Sequence, residues 1–208
     1  MRTVQEAKQF WDDRYASGNY IYGTQPNHFF KEKIDELEAG RLLLPAEGEG
    51  RNAIYAAREG WIVDAFDISE KGRHKAQELA KRNHVTINYY LSNYEDFDII
   101  DEHYDAVALI YAHLHQSSRR EIHQKMIGGL KPGAHLILEA FSKEQIDNNS
   151  GGPQDPDMLY ELNDLLEDFN ELQVNHADTA EIELEEGKHH EGTANVIRIL
   201  ARKPASFI

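Results

Sequence analysis

The sequence predicts an α/β fold: a doubly wound, mostly parallel sheet finished by an antiparallel C-terminal hairpin. Three observations carry this. Leu42-Leu43-Leu44-Pro45-Ala46-Glu47-Gly48-Glu49-Gly50-Arg51-Asn52 is an apolar run, then a loop with two glycines and two carboxylates, then the start of a helix. Strand, glycine loop and helix in that order form the ligand-binding turn of an open α/β sheet. Short apolar or β-branched runs then alternate with helical stretches through residue 141, as parallel sheets require. Finally, two extended runs, 179–184 and 194–202, are joined by the connector 185–192, which reads as a hairpin.

Residues 3–16 form an amphipathic helix with Trp11 and Tyr15 on one face, broken at Gly18-Asn19. An aromatic loop, Tyr20–Asn27, leads to a second helix that starts at Pro26 and carries Phe30, Ile34 and Leu37 on its apolar stripe. The first strand, 42–44, enters the glycine loop, and 52–60 is a helix closed by Gly60. Trp61–Asp67 is strand two, and Ser69 caps the helix 70–82. That leaves the Asp67 carboxylate free for a ligand, since an acid ending strand two can accept both hydroxyls of a ribose. Val85–Tyr90 is strand three, and Asn93 after it could read an adenine edge. Tyr104–Tyr111 is strand four and delivers Tyr111 and His113 to the carboxyl edge. Ser117 caps the next helix, Lys131-Pro132-Gly133 turns into strand five at 135–141, and 142–157 is a flexible loop long enough for a lid. A helix over 158–167 precedes the hairpin.

With 208 residues and 40% hydrophobic content, one domain with a substantial core is expected. Within it, residues 1–40 are a helical lid, 41–142 the cofactor-binding core and 143–208 the loop, helix and hairpin. A net charge of -15 argues against nucleic acid and anionic membranes as partners. The absence of cysteine excludes disulfides and thiolate chemistry. No apolar segment approaches the ~20 residues of a membrane span, so the cytoplasm is the expected compartment and a monomer or homodimer the expected state.

The glycine pattern alone also fits a dinucleotide, but Glu47 and Glu49 would then crowd a pyrophosphate; like charges ~5 Å apart repel by ~0.8 kcal/mol even in water. S-adenosylmethionine (SAM) carries a sulfonium and an ammonium and no phosphate, so an acidic loop suits it. Glu47 at the strand end faces the ligand, while Glu49 faces water.

Taken together, Trp11-Asp12-x-Arg14-Tyr15, Tyr22-Gly23-x-x-Pro26-Asn27, Gly48-Glu49-Gly50-Arg51-Asn52-Ala53, Phe66-Asp67-Ile68-Ser69, His113-Leu114 and Leu130-Lys131-Pro132-Gly133 resemble the class I SAM-dependent methyltransferases. The resemblance is closest to the tellurite-resistance and thiopurine-type members. It implies a seven-stranded Rossmann-like sheet with strand seven antiparallel. It also implies SAM as cofactor, with S-adenosylhomocysteine (SAH) as product, and a small-molecule methyl acceptor. The implied cofactor-binding residues are Trp11, Tyr15, Tyr22, Asn27, Glu47, Gly48, Gly50, Asn52, Asp67, Ile68, Asn93, Tyr94 and Tyr111, with Trp11 and Tyr15 closing over the cofactor. Asn93 stands where relatives commonly carry an acid. A neutral acceptor benefits from a general base, for which His113 past strand four and His190 in the hairpin are the candidates, with His115 and His189 as neighbours. No HExxH or Cys/His cluster marks a metal. A minimal NAD(P)-dependent oxidoreductase and a non-catalytic SAM-binding protein are the alternatives.

Overall fold

The structure, a computed structural model, describes residues 2–187 and 189–205; Lys188 of the hairpin connector lies outside the described residues. In chain order the elements are α1 (Val4–Arg14), α2 (His28–Asp35), β1 (Arg41–Pro45), α3 (Arg51–Arg58), β2 (Ile62–Asp67), α4 (Glu70–Arg82), β3 (Asn88–Leu91), β4 (Tyr104–Ile110), α5 (Gln116–Gly128), β5 (Leu130–Phe141), α6 (Leu162–Asp168), β6 (Gln173–Glu185) and β7 (Glu191–Arg202). The strands form one seven-stranded sheet in the order β3-β2-β1-β4-β5-β7-β6. The first four neighbouring pairs are parallel, and β5-β7 and β7-β6 are antiparallel.

Side chains alternate across each strand, so β1 feeds both faces. Leu42 and Leu44 join Phe30, Ile34, Ala53, Val63 and Leu79 in the core under α2, α3 and α4. Leu43 joins Leu109, Met126, Leu136, Leu138 and Phe169 in the core under α5 and α6. The chain leaves β1 toward one side of the sheet and β4 toward the other. Their carboxyl ends therefore flank the switch point, where open sheets hold ligands.

Several local expectations are corrected. No helix separates β3 from β4: residues 92–103 are turns, and Phe97 fills the space by stacking on Phe66 at 4.2 Å. Strand pairing in β3 begins only at Asn88. Strand five already starts at Leu130, and the Lys131–Gly133 turn is a bulge, because the register with β4 slips between Tyr104 and Ala106. The cap of α5 is His115, whose Nδ1 accepts from Ser117 N, and not Ser117. Asn27, not Pro26, starts α2, its Oδ1 accepting from Phe30 N at 2.9 Å. The expected helix over 158–167 is a short 3-10 turn, Pro156–Met158, followed by α6. The 142–157 segment is pinned to β7: Ser150 Oγ donates to Thr193 O at 2.6 Å and Gln145 Nε2 donates to Ser150 Oγ at 2.9 Å.

Ser69 caps α4 as expected, accepting from Gly72 N at 3.0 Å, and its hydroxyl donates to Asp12 at 2.7 Å. Asp12 also accepts from Lys71 N at 3.2 Å, so one carboxylate of α1 is docked on the N-terminus of α4. Ser69→Ala removes both bonds. A loss of about 1–2 kcal/mol is expected, read as a lower urea midpoint at unchanged slope.

Candidate active site

Two residues without the freedom of glycine hold left-handed backbone at the switch point: Ala46 (φ 52) after β1 and Tyr111 (φ 52) after β4. Such strain persists where surrounding structure enforces it, and functional sites are where it clusters. Gly48 (φ 59) and Gly50 (φ 90) complete the loop between β1 and α3. A Cβ on Gly48 would lie 2.6 Å from Tyr15 Oη, and one on Gly50 would lie 2.6 Å from Ala76 Cβ. The room these glycines provide therefore takes the Tyr15 ring and the close approach of α4.

Glu47 is buried and its Oε1 accepts from Ala53 N at 2.7 Å. Desolvation pushes its carboxyl up to about 7, opposed by that hydrogen bond and by the Arg51 charge. Asp67, also buried, accepts from Ser69 N at 2.8 Å and Gly48 N at 3.0 Å. Burial raises it to about 6 against those two bonds. Glu49 corrects an expectation: it does not face water. It is buried, accepting from Ile21 N and from Lys75 Nζ, each at 2.7 Å. Glu49 thereby ties the strap between α1 and α2, residues 19–27, to α4.

Tyr15 is buried over the loop, stacked on Trp11 at 5.5 Å and edge-on to Tyr22 at 6.4 Å. Burial pushes its phenol well above the ordinary range. On the adenine side expected from the sequence, Ile68 is half-buried after Asp67. Asn93 spends its side chain on its own turn, accepting from Asp96 N at 2.7 Å and donating to Asp96 Oδ2 at 2.9 Å. Tyr94 packs edge-on against Phe66 at 5.7 Å, its hydroxyl buried and without a hydrogen-bond partner among the described residues. Asn52 and Asn27 hold the strap: Asn52 Oδ1 accepts from Asn27 N at 2.8 Å, and Asn27 Nδ2 donates to Glu139 at 2.6 Å and to Glu186 at 3.3 Å. Asn27 Oδ1 also caps α2, so its side chain is held by both networks.

That network contains the residues sequence reasoning missed. Glu139 on β5 lies opposite Arg198 on β7; it accepts from Arg198 Nε at 2.7 Å and from Tyr111 Oη at 2.7 Å. Glu186 accepts from Arg51 Nη2 at 2.9 Å and from His190 Nδ1 at 3.0 Å. The available signal was a charge in the middle of each of two mostly apolar strands, Glu139 in His135–Phe141 and Arg198 in Ala194–Arg202. Asn27, Arg51, Glu139, Glu186 and Arg198 line one side of a cavity of about 440 Å³ between the strap and the β6–β7 hairpin.

The two expected bases separate. His113 places Nδ1 2.7 Å from Met158 O, and its Nε2 accepts from Phe141 N at 3.2 Å. Both nitrogens are spent on backbone, and burial lowers its pKa to about 4; this corrects its reading as a base. His115 is the α5 cap and His189 lies half-buried in the hairpin turn. His190 is buried among Tyr22, Tyr111 and Phe141 with ring centroids at 4.5, 4.7 and 5.4 Å.

Strand order, antiparallel end and glycine loop at the switch point together define the Rossmann-like methyltransferase fold. Residues 45–133 match a family model described as a methyltransferase domain. That span of the chain is similar to methyltransferase domains, and SAM is the cofactor that the likeness implies. The loop fits that cofactor: two buried carboxylates, raised by desolvation, favour a ligand that brings positive charge and hydroxyl donors. An enzyme named ubiquinone biosynthesis O-methyltransferase, from Rickettsia felis, is 27% identical over 124 residues, 60% of this chain and 48% of that protein. The chain spans less than half the length of the curated relatives it matches. Among solved structures, TehB from Haemophilus influenzae aligns over 95% of this chain and 67% of its own, with TM-score 0.71 and 17% identity. A structure described for conversion of a disulfide bond into a thioacetal group during echinomycin biosynthesis aligns over 96% and 93%, with TM-score 0.76 and 14% identity. These likenesses are of fold. Among the described residues, no helix is long and apolar enough to cross a membrane, and no group of three His, Asp or Glu could hold a metal ion.

Proposed function

We propose that this chain, read as one domain, transfers the methyl group of SAM to a small-molecule acceptor, with the cytoplasm as its expected compartment. The observation that supports this best is the pair Glu47 and Asp67. Both are buried beside the glycine loop, and among the described residues neither is ion-paired with a side chain. SAM, when bound, supplies a methyl group already activated on sulfur, so the protein's task is placement and exclusion of water. Asp67 is the acceptor for the ribose hydroxyls, and Glu47 is the countercharge for the ammonium. Tyr15 and Trp11 form the wall over them. Tyr22, Tyr111 and Phe141 form an apolar chamber at the β4–β5 edge for the acceptor. The relatives named for ubiquinone biosynthesis and the resemblance to tellurite-resistance and thiopurine-type enzymes both point to small acceptors. Calorimetry with SAM, SAH, NAD and NADP, followed by an acceptor screen, tests the reading. SAM and SAH are expected to bind at micromolar concentration or below; NAD binding without SAM binding sinks the proposal.

The wall makes a separate prediction. If Tyr15 closes over the cofactor, SAH changes the fluorescence of Trp11 in a Trp61→Phe background and slows proteolysis before residue 30 severalfold. Unchanged emission and unchanged cleavage mean that α1 is a permanent part of the α4 surface.

A further inference from the structure

The cavity of about 440 Å³ between the strap and the β6–β7 hairpin borders the proposed chamber at Tyr22 and reaches from there to Arg198 on β7. Its two guanidiniums are held differently. Arg51 gives Nη2 to Glu186 at 2.9 Å and Nη1 to Tyr22 O at 3.3 Å, so both ends of its fork are engaged. Arg198 gives Nε to Glu139 at 2.7 Å, and among the described residues no hydrogen bond engages its Nη1 or Nη2. Of the several N–H donors of that guanidinium, only the one on Nε is spent. The group is fixed all the same, because its central carbon lies 5.3 Å from the centre of the buried Phe29 ring. Glu139 has no capacity to spare: it also accepts from Asn27 Nδ2 at 2.6 Å and from Tyr111 Oη at 2.7 Å. The Glu139 side chain has no exposed surface and that of Arg198 keeps 22%, so an incoming ligand meets the guanidinium and not the carboxylate. A planar fork anchored through Nε and open at both ends matches the two oxygens of a carboxylate.

The rest of the lining bears on what that carboxylate is attached to. Tyr22, Pro26, Ile182 and Leu184 offer an apolar bed. Glu183 and Glu185 are exposed on the hairpin side, and Glu186 lies at the Tyr22 end. Like charges repel, so these three carboxylates oppose a dianion such as a phosphate monoester more strongly than a monoanion.

Resting on the SAM-dependent reading above, we propose that this cavity holds the body of the methyl acceptor and that the acceptor is an apolar monocarboxylic acid. Its carboxylate takes the open fork of Arg198. Its body lies on Ile182 and Leu184 beneath the strap, and its far end passes Tyr22 into the chamber. The carboxylate is a handle remote from the reacting atom and is not itself methylated. Arg198 is thereby a specificity-determining residue.

The test uses the full chain saturated with SAH. It is titrated by calorimetry with phenylalkanoates from phenylacetate to phenylpentanoate, with the amides of the same acids, and with phenylpropyl phosphate. The methyl resonances of Ile182 are followed in parallel. At least one acid is expected to bind about tenfold or more tightly than its amide and than the phosphate, and to shift the Ile182 resonances. Arg198→Gln should abolish the preference for acid over amide while amide and SAH affinities stay within about threefold. Arg198→Lys, which keeps the charge without the fork, should recover only part of it. If Arg198→Gln does not fold, the comparison of acid with amide on the unaltered chain decides alone. SAH binding with acids held no more tightly than amides, or a preference that survives Arg198→Gln, overturns the inference. Tighter binding of the phosphate overturns the monocarboxylate class. Failure to bind SAH overturns the SAM-dependent reading and this inference with it.

Discussion

Asp67→Ala is expected to weaken SAM and SAH binding by about 30- to 150-fold, the equivalent of losing a charge-assisted contact worth about 2–3 kcal/mol. Asp67 ends β2 with its carboxylate on Gly48 N and Ser69 N, so it shapes the loop and presents the remaining lone pairs at the switch point. Asp67→Asn should also weaken binding, because an amide donor would then face one of two backbone donors. Ser69→Ala separates the roles: it loses the α4 cap but keeps the carboxylate, and should leave affinity within about threefold. Calorimetry on the three variants decides. If Asp67→Ala changes affinity less than threefold, Asp67 serves only the loop.

Cofactor affinity should fall about tenfold to a hundredfold between pH 8 and pH 5.5. Burial raises Glu47 to about 7 and Asp67 to about 6, and each unit of pH below such a value costs up to tenfold when the complex needs the ionised form. The unliganded chain should respond in the opposite sense. Its folded-state values lie above those of the unfolded chain, so the native state binds more protons between about pH 4 and 7. The stability these two groups contribute is full below that window and lost as the pH rises through about 6 and 7. Glu186, held down to about 2, behaves conversely: its contribution is present above the unfolded value of about 4 and lost only below it. Thermal unfolding of the unliganded chain from pH 5 to 8, and proton release on SAH binding measured in two buffers, check both signs. Affinity independent of pH over this range would remove Glu47 and Asp67 from the cofactor site.

Much of this was legible locally. The glycine loop, Asp67 beside a better cap at Ser69, and Tyr111 at the end of a buried run are each set by a few neighbouring residues. Features set by distant partners were not. Glu49 reads as a solvated loop carboxylate until Lys75 and Ile21 N are brought to it. That Asn27 bonds Glu139 and Glu186 could not be read either, since these lie 112 and 159 residues away. His113 and His190 look equivalent in the sequence, since spacing cannot show that one ring is bonded on both nitrogens and the other on one. The 142–157 segment has the composition of a free loop, but Ser150 and Gln145 are bonded to a strand and to each other.

The β6–β7 turn closes the site from far along the chain. Arg51 waits 135 residues for Glu186, and until then the α3 N-terminus holds a guanidinium without its carboxylate. Contacts of such separation form late, because loop closure must come before they can reward it. During synthesis, then, the glycine loop, β2 and β4 can be in place on the ribosome while the acceptor side is still open. On the proposed reading, methyl transfer should begin only once β7, which ends at Arg202, has cleared the exit tunnel, which makes the reaction a reporter of a finished sheet.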